Sequence, residues 1–105
     1  MTRITVAPAA AFEIADAAQA YEATRPGLSD AFVSEVDRAL TGVRDYPYIA
    51  ASIMPGFRRC ILRRFPYSVA YRVVGDDVQV LALFPTRTDP AQLAARLASA
   101  TSIKR

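Results

Sequence analysis

Histidine is absent from this chain of 105 residues, cysteine occurs once, and lysine appears only at Lys104. Without histidine the chain lacks the commonest general base near neutral pH and the commonest metal ligand. Serine-histidine, cysteine-histidine and histidine-metal chemistry are therefore excluded within these residues, and no catalytic residue, metal or cofactor is expected. Cys60 has no second cysteine with which to close a disulfide and no histidine with which to share a zinc site. In a predicted strand it reads as core filling rather than as a reactive thiol. Long apolar runs are also missing. Although 52% of the residues are hydrophobic, no stretch approaches the ~18 uninterrupted apolar residues of a membrane helix. The first residues lack the basic segment and apolar stretch of a secretory signal, so a cytoplasmic protein is expected. The length suits one domain over residues 1–105 and is too short for a second core.

Acidic residues are missing from one region in particular. Residues 1–45 carry four Arg against seven Asp or Glu, a net −3, and residues 76–105 carry four bases and three acids. Between them, residues 46–75 hold Arg58, Arg59, Arg63, Arg64 and Arg72 with no acid, a net +5. Twelve of the thirteen basic residues are arginine, whose planar fork pairs bidentately with carboxylate or phosphate. A segment of this kind calls for an anionic partner, protein or nucleic acid.

The hydrophobic pattern gives an order of elements. Arg3-Ile4-Thr5-Val6 is short and β-branched and predicts a first strand ending at Pro8. From Ala9 to about Arg25, Ala11, Ile14, Ala15, Ala18 and Tyr21 recur at helical spacing. Arg25-Pro26-Gly27 stops that helix. Ser29 or Asp30 is placed to cap a second one, with the stripe Phe32, Val36, Ala39, Leu40 and Val43 inside and Glu35, Asp37 and Arg38 largely outside. Tyr48 to Pro55 has no clean period and reads as a connecting loop. The stretch from Gly56 to Val73 then reads as two strands and their joint. Tyr67, Val69, Tyr71 and Val73 fall at every second position, which means one buried face with Ser68, Ala70 and Arg72 pointing the other way.

Val74-Gly75-Asp76-Asp77 forms a tight turn, so the two aspartates are turn chemistry rather than a metal site. Val78, Val80, Ala82 and Phe84 alternate with Gln79, Leu81 and Leu83, an interior strand ended by Pro85. Asp89 caps and Pro90 starts a last helix, in which Leu93 and Leu97, with Ile103 as a third candidate, dock against something apolar. The predicted class is α+β: a helical hairpin packed on an antiparallel sheet, order βααβββ plus a C-terminal helix. On this reading the arginines of the meander stand together on the sheet surface that the hairpin leaves uncovered.

With these elements in place the chain resembles the RelE/ParE toxins of bacterial type II toxin-antitoxin systems over about residues 3–97. The helical hairpin with Pro26-Gly27-Leu28, Phe32 and Glu35-Val36 is similar to theirs. So are Gly56, Arg58 and Arg59, then Arg64-Phe65-Pro66-Tyr67 with Val69 and Tyr71, and the closing Val80-Leu81-Ala82-Leu83, Arg87, Asp89-Pro90 and Arg96. The resemblance implies a toxin held inactive by a cognate antitoxin with an acidic, amphipathic segment, in a hetero-oligomer.

Two modes of action follow from it. A ParE-like toxin inhibits growth by binding a cellular target, DNA gyrase by family analogy. A RelE-like toxin cuts messenger RNA on the ribosome, here with Arg59, Arg64, Arg72 and Arg87 on phosphate. Nuclease members use lysines, arginines and a late tyrosine around the concave sheet face, whereas this chain has no lysine before Lys104 and no tyrosine after Tyr71. A third reading keeps the fold as a binding module that poisons nothing. The candidate residues for contact with antitoxin or target are Arg58, Arg59, Arg63, Arg64, Arg72 and Arg87. Arg63 and Arg64 cannot both lie on one strand face, and Arg87 reads equally as a partner contact or as a helix-entry hydrogen bonder. Tyr67 and Tyr71 read as core residues with a polar tip, or as a stacking platform for bases.

Overall fold

The computed structural model describes residues 2–101. In chain order it contains β1 (Ile4–Val6), α1 (Pro8–Thr24), α2 (Leu28–Asp45), β2 (Ala51–Met54), β3 (Phe57–Ile61), β4 (Tyr67–Val74), β5 (Asp77–Pro85) and α3 (Pro90–Thr101). The strands form one sheet in the order β1-β5-β4-β3-β2. Strands β2 to β5 are antiparallel to their neighbours, and β1 joins the edge of β5 in parallel because the α1–α2 hairpin carries the chain back across the sheet. The α+β class and the order of helices and strands match the sequence reading. Two details differ: the sheet is mixed, and the segment read as a loop from Tyr48 to Pro55 contains β2.

The hairpin packs on one face. Val69, Tyr71, Val78, Val80 and Leu83 meet Ala10, Ala17, Ala18, Phe32, Val36, Ala39 and Val43 in the larger core. Alanines on α1 let it approach α2 closely, although the buried ones are Ala10, Ala17 and Ala18 while Ala11 and Ala15 are exposed. Phe65 and Tyr67 close this core around Tyr21 and Phe32. The Tyr21–Phe65 and Phe32–Phe65 centroids are 4.9 and 5.1 Å apart in edge-on geometry, the arrangement aromatic quadrupoles favour. Tyr71 is fully buried and its hydroxyl donates to Pro47 O at 2.7 Å, so both tyrosines are core residues.

The turn into α2 is capped from a distance. Gly27, at φ 94°, occupies the N-cap with no side-chain bond of its own. The Glu22 carboxylate instead accepts the N–H groups of Gly27 at 3.1 Å and Ser29 at 3.0 Å, which holds the Glu22 carboxyl below its usual pKa. The cap expected from Ser29 or Asp30 is replaced because the helix already starts at Leu28, which puts both residues inside its first turn.

The second face of the sheet is not open. A bulge between the Ala70–Ala82 and Tyr71–Val80 pairs inserts Leu81 into β5. The inserted residue shifts the alternation by one, so that Leu81 and Ala82 both face away from the hairpin. With Ala70 and Phe84 they form an apolar floor, and Leu93 and Leu97 of α3 are buried on it. Asp89 caps α3 as predicted, its Oδ1 accepting Ala91 N–H at 2.9 Å. Ile103 lies outside the described residues. Beyond the three residues that pair with β1, the outer edge of β5 is covered by Glu13 of α1. One carboxylate oxygen accepts Leu83 N–H at 3.1 Å and the other accepts the Arg96 guanidinium. A single side chain thus ties α1, β5 and α3 together.

Candidate functional site

The six candidate arginines are divided among four places. Arg58 lies opposite Tyr71 in the ladder and so points to the hairpin side. Its Nη1 donates to Tyr48 O at 3.0 Å and Ala50 O at 2.7 Å, and the guanidinium carbon sits 5.3 Å from the Tyr48 ring centre. Arg59, opposite Ala70, points to the α3 side and borders a small cleft with Ser52, Thr88 and Leu93. Arg72 shares that side but donates through Nε to Gln79 Oε1 at 2.7 Å. Arg63 and Arg64 stand in the β3–β4 connection, both exposed, with the Arg64 guanidinium 6.0 Å from the Phe65 ring centre. Arg87 is exposed in the turn between β5 and α3. The expected single guanidinium face is therefore not formed. Neighbouring strand residues alternate sides, which separates Arg58 from Arg59, and α3 occupies the surface on which they were to gather.

An arginine outside the six forms a close ion pair. Arg38 on α2 donates to both oxygens of Glu35, at 3.2 and 2.6 Å. Glu35 Oε2 also accepts Arg63 N–H at 2.7 Å. Glu35 was expected largely outside but is only 6% exposed. It stitches α2 to the β3–β4 connection, and the Arg38 guanidinium holds its carboxyl down to about 2 against the opposing effect of burial.

Beside this pair a groove of about 240 Å³ runs between the second half of α2 and β3. Ala39, Gly42 and Val43 form one wall and Cys60 and Ile61 the other, with Arg38 and Arg63 at the rim and Tyr46 and Ile49 at the open end. Burial pushes the Cys60 thiol above its usual pKa, as expected of core filling. The loop 46–50 that closes the groove exposes Tyr46 at 65%, Tyr48 at 64% and Ile49 at 82%. It is nonetheless tethered, since the carbonyls of Pro47, Tyr48 and Ala50 all accept bonds from Tyr71 or Arg58.

The family model described as "ParE toxin of type II toxin-antitoxin system, parDE" matches residues 4–90. The chain belongs to this ParE toxin family. Among solved structures it is similar to a chain of the chromosomal ParDE TA system from P. aeruginosa, with a TM-score of 0.72, 21% sequence identity, and coverage of 81% of this chain and 96% of that one. At that identity the likeness concerns the fold alone. None of the curated protein sequences matches the chain significantly.

For this ParE-family chain, charge counting drew attention to the arginines and away from the loop. The signal for the loop was present in Tyr46-Pro47-Tyr48-Ile49, three large apolar side chains in a segment without helical or strand period. Such residues have no predicted core to enter and are candidates for exposure.

Proposed function

We propose that this chain is the growth-inhibiting toxin of a type II toxin-antitoxin pair. It acts in the cytoplasm by binding a cellular target rather than by cutting RNA, and a cognate antitoxin neutralises it. The target favoured by family analogy is DNA gyrase. One observation carries the binding mode: the four arginines that phosphoryl chemistry needs do not gather at one point, Arg64 being set apart from Arg72. Arg64 adjoins the start of β4 and Arg72 lies toward its end. From position 68 to 72 a strand runs roughly 13 Å, at about 3.3 Å per residue. Ala70, midway between, is buried beneath the Leu93 and Leu97 side of α3. Arg72 is already held by Gln79, and no histidine exists to accept a 2′-hydroxyl proton.

Two assays separate the modes. Loss of supercoiling by purified gyrase at micromolar toxin is the expected result, and full supercoiling there removes gyrase as the target. Discrete cuts in ribosome-bound message, seen by primer extension in a purified translation system, overturn the binding mode. Normal growth on induced expression of soluble protein overturns the toxin reading itself.

A further inference from the structure

We propose that the cleft between β2 and the start of α3 is a binding site for a carboxylate carried on a short apolar stem, with Arg59 as the receiving group. The cleft has a volume of about 160 Å³ and lies against Ser52 and Ile53 of β2, Thr88 of the turn before α3, and Leu93 of α3. It exists because of the cross-strand neighbours of Arg59. Arg59 pairs with Ala51 on β2 and with Ala70 on β4, and directly opposed residues share a face of the sheet. Two alanines leave no large side chain on either flank of the guanidinium, so space remains above them.

Arg59 is also the arginine of the sheet whose bonding is incomplete. Arg58, Arg59 and Arg72 are each half-buried in the strands. Arg58 meets the carbonyls of Tyr48 and Ala50, and Arg72 meets Gln79. Arg59 has no hydrogen bond or ion pair with any described residue. Asp89, the acid of the adjoining turn, accepts Ala91 N–H and so serves α3 as its cap. A guanidinium held in this way has its donors directed at water and gains charge-assisted hydrogen bonds when an anion replaces that water.

The other groups in the cleft select the class of anion. Thr88 is fixed through its backbone N–H on Pro85 O at 2.9 Å, and its hydroxyl has no partner. The Ser52 hydroxyl is spent on Met54 O at 3.2 Å. One planar fork and one free hydroxyl suit the two oxygens of a carboxylate. The wall formed by Ile53, Pro90 and Leu93 is apolar, and methylenes behind the carboxylate would lie against it. A phosphodiester continues from both of its ester oxygens, whereas a carboxylate ends its chain and enters a small cleft head first. The source of such a group is either a free small acid or a glutamate side chain of a bound protein.

The assignment goes beyond the toxin reading, and its test uses neither growth nor a partner protein. The full chain, isotope-labelled, is titrated by NMR with propionate, with N-acetyl-glutamate methylamide and with dimethyl phosphate. Probes reach about 50 mM at ionic strength held constant with chloride, so that screening is the same throughout. Propionate shifts the Thr88 amide signal and saturates. Arg59→Gln weakens this binding about tenfold or more, the loss of a charged hydrogen-bonded contact, and its thermal midpoint stays near wild type because no partner in the fold is lost. Arg59→Lys, which keeps the charge without the fork, falls between the two. Thr88→Val leaves Arg59 in place and weakens binding about threefold, an independent check on the cleft. Arg25→Gln, exposed between α1 and α2, loses the same charge and stays within about twofold of wild type. Equal binding of propionate and the glutamate derivative supports the site with a protein side chain as its source. Binding of propionate alone supports it with a free acid as the source. The proposal is overturned by the absence of saturable shifts with both acids, by shifts undiminished in both Arg59→Gln and Thr88→Val, or by tighter binding of dimethyl phosphate than of propionate.

Discussion

Replacing Glu35 tests the link between α2 and the β3–β4 connection. The carboxylate accepts three bonds, two from Arg38 and one from the Arg63 backbone, and is 6% exposed. Glu35→Gln keeps an oxygen for the Arg63 N–H but removes the charge. Because the Arg38 side chain is 45% exposed and recovers water, the loss is that of a screened ion pair with a charged hydrogen bond, about 1–2 kcal/mol. Glu35→Ala also leaves the Arg63 N–H without an acceptor, which adds the penalty of an unsatisfied donor and brings the total to about 2–4 kcal/mol.

The pH dependence provides a second, independent reading. The folded-state pKa of Glu35 lies near 2, below its ordinary 4.5. A depressed value means that its contribution is present in full above about 4.5 and is lost as the pH falls through about 2, at no more than ~1.4 kcal/mol per unit. Urea denaturation at pH 6.5 and pH 2.5 (approximate settings within that window) checks this. Wild type exceeds Glu35→Gln at the higher pH, and the gap narrows at the lower one. A gap that stays constant across this range, or a Glu35→Ala variant within about 0.5 kcal/mol of wild type, would refute the assignment of Glu35 as the charged tie.

Other substitutions address the remaining joints. Tyr71→Phe removes the hydroxyl that donates to Pro47 O and costs about 1–1.5 kcal/mol, with faster amide exchange at residues 48–50; unchanged exchange there means the tether does not hold the loop. Leu97→Ala empties a site with 0% exposure and costs about 2–5 kcal/mol. It also speeds proteolysis in the 86–90 segment, and resistance equal to wild type counts against α3 being held by that contact. Gly75 sits at φ 62° with open space around a built Cβ, so Gly75→Ala costs about 1 kcal/mol through the backbone alone. Gly75→Asn costs less, since asparagine tolerates the left-handed region, and equal losses for the two in thermal melts exclude that cause.

The hairpin and the meander were legible in the sequence because one period governs each. Phe32, Val36, Ala39 and Val43 keep helical spacing along the whole of α2, and Tyr67 to Val73 keep strand alternation. The misreadings occur where a tertiary partner replaces a local signal. β2 is only four residues long and its exposed-to-intermediate pattern carries no period; its identity as a strand comes from pairing with β3. The change of face at Leu81 depends on a bulge, which alternation counted from Val78 cannot contain. Glu22 caps α2 from five and seven residues away, so the nearer Ser29 and Asp30 attracted the assignment. Glu35 looked solvent-facing beside Asp37 and Arg38, because its acceptor role depends on the Arg63 N–H, 28 positions further on.

The arginine cluster shows why a linear excess of charge is a poor guide to a contact surface. Its net charge is real, but strand alternation, the β3–β4 connection and α3 distribute the guanidiniums around the molecule. At a Debye length of about 8 Å in physiological salt, such a distribution still biases the approach of an acidic partner without defining where it lands. The loop 46–50 differs from these charges in being fixed, its carbonyls held by Arg58 and Tyr71. Charge on Arg59, Arg64 and Arg87 is therefore expected to act on encounter and to be screened by salt. Arg58 stands apart from them despite its charge, because its guanidinium is committed to the carbonyls of Tyr48 and Ala50.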